Sequence, residues 1–226
     1  MNTHTALFHN RRAAGRALAK ALHAYRSQRP VVLGVARGGV PVAYEVATAL
    51  DAPLGALVVR KIGAPQQPEY GIGAVAPGIT VQRPDAMMTA GVSEVAFERA
   101  AEQARVVMRE RHRRYNGDDD LPLLRGHTVI VVDDGLATGV SAQAALRSAR
   151  ALAPSQLVFA VPVGATESVA ALDEIADTIV CLHERDVFDA VGQWYKHFEP
   201  TSDEDVIELL EEANRAVTEE DLREPG

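Results

Sequence analysis

Residues 133–139, Asp-Asp-Gly-Leu-Ala-Thr-Gly, set two adjacent carboxylates directly before a short glycine-bearing loop. A loop of this kind opening a helix offers free backbone N–H groups and the positive end of the helix dipole to an anion, and the Thr138 hydroxyl adds a donor. Gly135, Leu136, Ala137, Thr138 and Gly139 are therefore the candidate phosphate cradle. Asp133 and Asp134 would repel a phosphate; they suit vicinal hydroxyls or a hydrated Mg²⁺ instead. A ribose bearing a 5′-phosphate satisfies both halves. The alternative is a tight turn whose acids only cap and solvate.

Two further clusters carry positive charge. Ala36-Arg37-Gly38-Gly39 is either a second anion site or a plain glycine-rich connection, and Arg60-Lys61 adds two cations beyond the next apolar run. Two anion sites on one sheet argue for a ligand with separated phosphates.

These clusters need elements to hold them. Residues 129–132 form an unbroken apolar run of the kind buried on both faces of a parallel sheet, and residues 140–151 follow with an alanine-rich helical pattern. The same order recurs with a strand at 31–35 and a helix at 40–50, where Pro41 is tolerated in the first turn. Strands are also expected at 56–59, 156–163 and 178–182, with a helix at 166–175. The succession predicts an α/β fold with a mainly parallel sheet flanked by helices and right-handed crossovers. Ligands in such sheets lie beyond the carboxyl ends of the strands, where all three clusters fall.

The remaining segments read as coverings. Residues 11–25 place Ala14, Leu18, Ala21, Leu22 and Tyr25 on one helical side and Arg11, Arg12, Arg16 and Lys20 on the other. Residues 62–82 are rich in Gly and Pro and are expected to form a long loop leading into a hairpin turned at 76–78. That loop is a lid candidate or a surface excursion, with Glu69 and Tyr70 as weaker contact residues. Residues 93–115 form a long helix capped by Ser93, with arginines at 105, 109, 111, 113 and 114 near its end. Residues 183–200 concentrate Phe188, Trp194, Tyr195 and Phe198, which either stack on a planar base or form a satellite core. An acidic helix and tail occupy 201–226, outside a main domain of residues 1–200.

Composition narrows the field. The 226 residues are 47% hydrophobic and 24% charged, ordinary for a globular chain, and contain no apolar run of membrane-spanning length and no charged-then-apolar leader. The single Cys181 allows no internal disulfide framework and is expected to be a buried, inert thiol; a cytoplasmic location is expected. The net charge of −8 is concentrated in residues 199–226, with eleven acids and two arginines, so nothing in the total calls for a nucleic-acid partner. There is no Walker loop, no helix-opening GxGxxG and no GxSxG elbow, and the seven histidines lack zinc-ligand spacing.

The stretch VIVVDDGLATGVS resembles the phosphoribosyl-pyrophosphate loop of the type I phosphoribosyltransferases, with Gly135 in place of the larger aliphatic residue usual there. FHNRRAAGRALA and VVRKIGAPQQPEYGIGAVA are similar to a stand-alone bacterial subgroup of that family. The resemblance implies transfer of a 5-phosphoribosyl group to a nitrogen, that of a nucleobase in the family's usual case, with Mg²⁺ and release of pyrophosphate. It implies Asp133, Asp134, Arg37 and Lys61 as catalytic residues and 133–139 as the phosphoribosyl site. Ala36, Arg37, Gly38, Gly39, Arg60 and Lys61 would be the pyrophosphate site, with a non-proline cis peptide between Ala36 and Arg37. It further implies a mobile lid at 62–82, a base-holding hood at 183–200 using Phe188, Trp194 and Tyr195, and a homodimer. Ala137 stands where 6-oxopurine enzymes carry an acid, which counts against hypoxanthine or guanine. The competing class is a non-catalytic regulator that senses phosphoribosyl pyrophosphate or a nucleotide.

Overall fold

The computed structural model describes residues 6–117 and 124–215. Five parallel strands form the central sheet: β1 (Val31–Ala36), β2 (Leu54–Val58), β6 (Thr128–Val132), β7 (Gln156–Ala165) and β8 (Thr178–Arg185), in the order β2-β1-β6-β7-β8. The chain runs outward from β1 to β2 and then returns to lay β6 on the other side of β1. The order thus reverses between β1 and β6, and a crevice opens at their carboxyl ends.

Alternation along these strands feeds two cores. Val32, Ile130 and Val132 face α1 (Arg11–Leu22), α2 (Val40–Leu50) and α7 (Asp203–Asn214), together with α4 (Glu94–Asn116) beyond the sheet edge. Val31, Leu33, Val129 and Val131 face α5 (Val140–Ala151) and α6 (Thr166–Ala170). The side chains at the centre of both cores are fully buried, so the two turns that end β1 and β6 start from closely packed strands. Cys181 on β8 is half-buried rather than enclosed, and burial still pushes its thiol up to about 11.

The segment expected to be a long loop is largely strand. A second, antiparallel sheet β3-β4-β5 is built from β3 (Arg60–Ala64), β4 (Gln67–Ala76) and β5 (Ile79–Gln82), followed by α3 (Pro84–Thr89). Its glycines obscured it: Gly63, Gly71 and Gly73 lie in the β3–β4 pairing, with register shifts on either side of Gly63. Ile62, Ile72, Phe97 and Met108 bury its inner face against α4. The turn after β4 is the expected one, with Gly78 at φ 72°.

The outer edge of β2 is closed by side chains. Asn116 of α4 and Asn214 of α7 each pair with one β2 residue, accepting from the N–H and donating to the carbonyl of Ala56 and Leu54 respectively. These amides do what a further strand would do and protect the edge. At α7 the Ser202 hydroxyl and the Asp205 carboxylate form a capping box. No described helix is long and apolar enough to cross a membrane.

Candidate active site

A cleft of about 440 Å³ lies at the reversal between β1 and β6. Its walls are the β1–α2 turn, the β6–α5 turn, one residue of β3, and the segment leading into α7. Asp133, Asp134, Arg37, Gly38, Lys61 and the loop 135–139 all line it. The convergence expected from sequence is therefore present in space.

The carboxylates are sunk into the wall. Asp134 accepts a 2.8 Å hydrogen bond on Oδ2 from Nε of Arg11, and its own N–H donates to Asp133 Oδ1 at 2.8 Å. Burial raises the pKa of Asp133 well above the usual carboxylate range, and the neighbouring Asp134 charge pushes it further. Burial also raises that of Asp134, against the pull of the Arg11 guanidinium. Two crowded, desolvated carboxylates with one cation in contact form a site short of positive charge. A divalent cation sharing oxygens with a bound phosphate would fit them, because Mg²⁺ commonly takes one or two carboxylates and completes its shell with phosphate and water. Among the described residues, no group of three or more His, Cys, Asp or Glu could form an all-protein metal cage.

The two turns differ in which amides they leave open. In the β6–α5 turn, the Leu136 N–H is bound to Val163 O at 2.9 Å and its side chain is buried, so it contributes no donor to an anion. The first turn of α5 lines the cleft instead: Gly139 stands at its N-cap with φ 75°, and Ser141 and Ala142 reach the cleft. In the β1–α2 turn, the Ala36–Arg37 peptide is cis, as the resemblance implied. Gly39 corrects its expected role, since it is buried away from the cleft with its N–H bound to Val35 O at 2.9 Å.

Arg60 and Lys61 are separated by the pleat. Both are exposed residues of β3, but successive strand residues face opposite ways, and Lys61 lines the cleft while Arg60 does not. The aromatic residues are also redistributed. Trp194 and Tyr195 are buried in a satellite core with Phe8, and Phe188 packs against it, so none of the three lines the cleft. Tyr195 serves from behind, donating its hydroxyl to the Asp134 carbonyl at 2.5 Å. Phe198 and Val191 are the apolar residues of this segment that do face the cleft, beside Pro200 and Thr201.

Arg11 is the site residue that sequence reasoning passed over, having placed it on the polar side of α1. Its guanidinium stacks 3.7 Å from the Phe198 ring centroid, bonds Asp134 and donates to the Glu199 carbonyl at 2.7 Å. A signal was present: Arg11 and Arg12 open α1 with no acid in its first turn, at the helix end that disfavours cations.

Fold and cleft together are those of an α/β protein with its candidate site at a sheet reversal. The family model "Phosphoribosyl transferase domain" matches residues 4–194, and the chain belongs to that family. Two Mycobacterium tuberculosis proteins, from strains CDC 1551 and H37Rv and each named "Putative phosphoribosyl transferase", are 42% identical over 215 residues, 94% of this chain and 48% of theirs. The chain thus spans about half the length of these curated relatives. The crystal structure of TT1426 from Thermus thermophilus is similar over 91% of this chain and 98% of that one, with 42% identity and a TM-score of 0.74. The structure of the AQ2163 protein from Aquifex aeolicus shares the fold at 14% identity and a TM-score of 0.50, over 82% of this chain and 85% of that one.

Proposed function

We propose that the chain transfers the 5-phosphoribosyl group of phosphoribosyl pyrophosphate to a nitrogen acceptor, a nucleobase by family resemblance, and releases pyrophosphate. The observation that carries this reading is the juxtaposition in one cleft of a paired carboxylate, a helix N-terminus and the two cations Arg37 and Lys61. In the proposed complex the 5′-phosphate rests on the turn 135–139 and the first amides of α5. Asp133 and Asp134 accept hydrogen bonds from the ribose hydroxyls. Arg37, the Gly38 amide and Lys61 face the pyrophosphate.

Asp133 and Asp134 would also hold Mg²⁺, which supplies charge neutralisation for the leaving pyrophosphate. The bond from ribose C1 to the pyrophosphate oxygen breaks as the acceptor nitrogen approaches C1. Positive charge developing on the sugar lies near the two carboxylates, and negative charge on the leaving group lies near Arg37 and Lys61. The acceptor sits against Arg11, Val191, Phe198, Pro200 and Thr201, which form the cleft's remaining wall. The exposed outer half of the β3–β4 hairpin acts as the lid and limits access of water to the sugar. The working unit is residues 1–200 with α7 docked on it, acting as a cytoplasmic homodimer.

The test is pyrophosphate release from phosphoribosyl pyrophosphate across a panel of nucleobases with Mg²⁺, beside an Asp133→Asn/Asp134→Asn variant. Release that depends on one base and is lost in the variant supports the transferase and names its acceptor. Binding of phosphoribosyl pyrophosphate without release by any base would instead favour a sensor.

A further inference from the structure

Helix α7 lies beyond residue 194, where the family match ends, yet its first residue touches the cleft machinery. Asp203 Oδ1 lies 3.4 Å from Nη1 of Arg37, the cleft arginine of the β1–α2 turn. The carboxylate is itself pinned from α4. Tyr115 donates its hydroxyl to Oδ1 at 2.5 Å, Arg114 donates to Oδ2 at 3.0 Å, and Arg111 Nε lies 3.5 Å from Oδ1. The capping box fixes the backbone on which Asp203 sits.

We propose that Asp203 is a positioning residue for Arg37, making the C-terminal helix a working part of the pyrophosphate site. The inference rests on the phosphoribosyl-pyrophosphate reading above. Arginine has many rotamers, and an unrestrained Arg37 at a cleft rim would lose that freedom on each binding event. Asp203 removes part of the cost in advance by holding the guanidinium at the rim. Its contact to Arg37 is single and long, whereas those from Tyr115 and Arg114 are shorter. When pyrophosphate draws Arg37 inward, Asp203 keeps its partners on α4 and no charge is left unpaired. The arrangement holds Arg37 without competing strongly for it.

The experiment compares calorimetric binding of inorganic pyrophosphate, ribose 5-phosphate and phosphoribosyl pyrophosphate, with Mg²⁺, to the full chain and to Asp203→Asn. The expected result is about five-fold weaker binding of pyrophosphate and phosphoribosyl pyrophosphate, with ribose 5-phosphate unchanged. In an Arg37→Ala background Asp203→Asn should add no further loss. An equal loss for ribose 5-phosphate would mean a merely structural role and overturn the proposal, as would tighter pyrophosphate binding, which would mean competition for Arg37. Should Asp203→Asn fail to fold, Asp203→Glu keeps the charge while displacing the carboxylate; the same selective but smaller loss is expected, and unchanged pyrophosphate binding would overturn the idea. Failure of the wild type to bind phosphoribosyl pyrophosphate would instead remove the functional reading on which the proposal stands.

Discussion

The turns that follow β1 and β6 look alike in sequence and do opposite work. Each ends a buried strand, contains glycine and opens a helix at a valine, Val40 in one case and Val140 in the other. The first is packed into its surroundings. A methyl group at Gly39 would lie 2.6 Å from Val132 O, 2.7 Å from Val35 O and 2.9 Å from Asp133 Cα, all of them backbone atoms. The second is open at its helix end: at Gly139 the nearest atom would be Ser168 Cβ at 3.7 Å, and the requirement there is φ 75°. Gly39 is needed for space and Gly139 for conformation, while Gly135 at the start of the second turn is packed as well, its added methyl falling 2.5 Å from Val191 Cγ1. The packed turn seats the cation Arg37 against the wall that carries the acids, so each turn sets the position of the other's charge.

The contrast in charge gives the largest expected effect. Asp133→Asn/Asp134→Asn should reduce pyrophosphate release by at least about 100-fold, the scale of lost electrostatic stabilisation in a closed site. The same change should alter stability in the opposite direction. A raised pKa for Asp133 means that the folded chain binds its proton more tightly than the unfolded chain. Folding therefore loses stability as the pH rises from the ordinary aspartate value of about 3.9 through the raised value. Asp133→Asn removes that loss, so its melting temperature should exceed the wild type's at pH 8, and the advantage should shrink as the pH falls toward 4. An advantage independent of pH would show that the acids are not crowded as the geometry implies.

Gly39→Ala comes next and tests the packed turn. Three backbone atoms cannot rotate aside, so β1 and β6 must separate, at a cost of about 1–3 kcal/mol. For a chain of this length that is several degrees in melting temperature. Because the displaced turn carries Arg37 and Gly38, pyrophosphate binding should weaken more than ribose 5-phosphate binding.

How much of this was legible without coordinates follows from which signals are local. Continuous apolar runs mark parallel strands, and the expected bounds of α2 and α5 coincide with those observed. Charge at strand ends was legible for the same reason. What required the structure was set by pairing across the chain. Glycine and proline in 62–76 read as loop, although antiparallel partners and α4 convert the segment to sheet. The pleat separates Lys61 from Arg60, and only the strand register decides which faces the cleft. Leu136 and Gly39 spend their amides on Val163 and Val35, leaving fewer donors than the motif suggests. Trp194 and Tyr195 turn inward because Phe8, far away in sequence, packs against them and pairs with Tyr195.

The smallest expected effect lies at Gly139 and decides whether the two glycines differ in kind. Alanine there meets only ordinary contact with Ser168, so the cost is that of holding an L-residue at positive φ, ~1 kcal/mol. In a domain of this size that corresponds to a fall of about 2–4 °C in melting temperature. Relaxing the strain would rotate the amides at the start of α5, where the 5′-phosphate is proposed to rest. Ribose 5-phosphate should therefore lose affinity while inorganic pyrophosphate does not, the reverse of the pattern at Gly39. The local cap offers a second check, because Ser168 donates to the Ala137 carbonyl at 2.5 Å and holds the turn from outside the cleft. If Gly139→Ala costs as much stability as Gly39→Ala, or weakens both ligands alike, the division into one glycine for space and one for conformation is wrong.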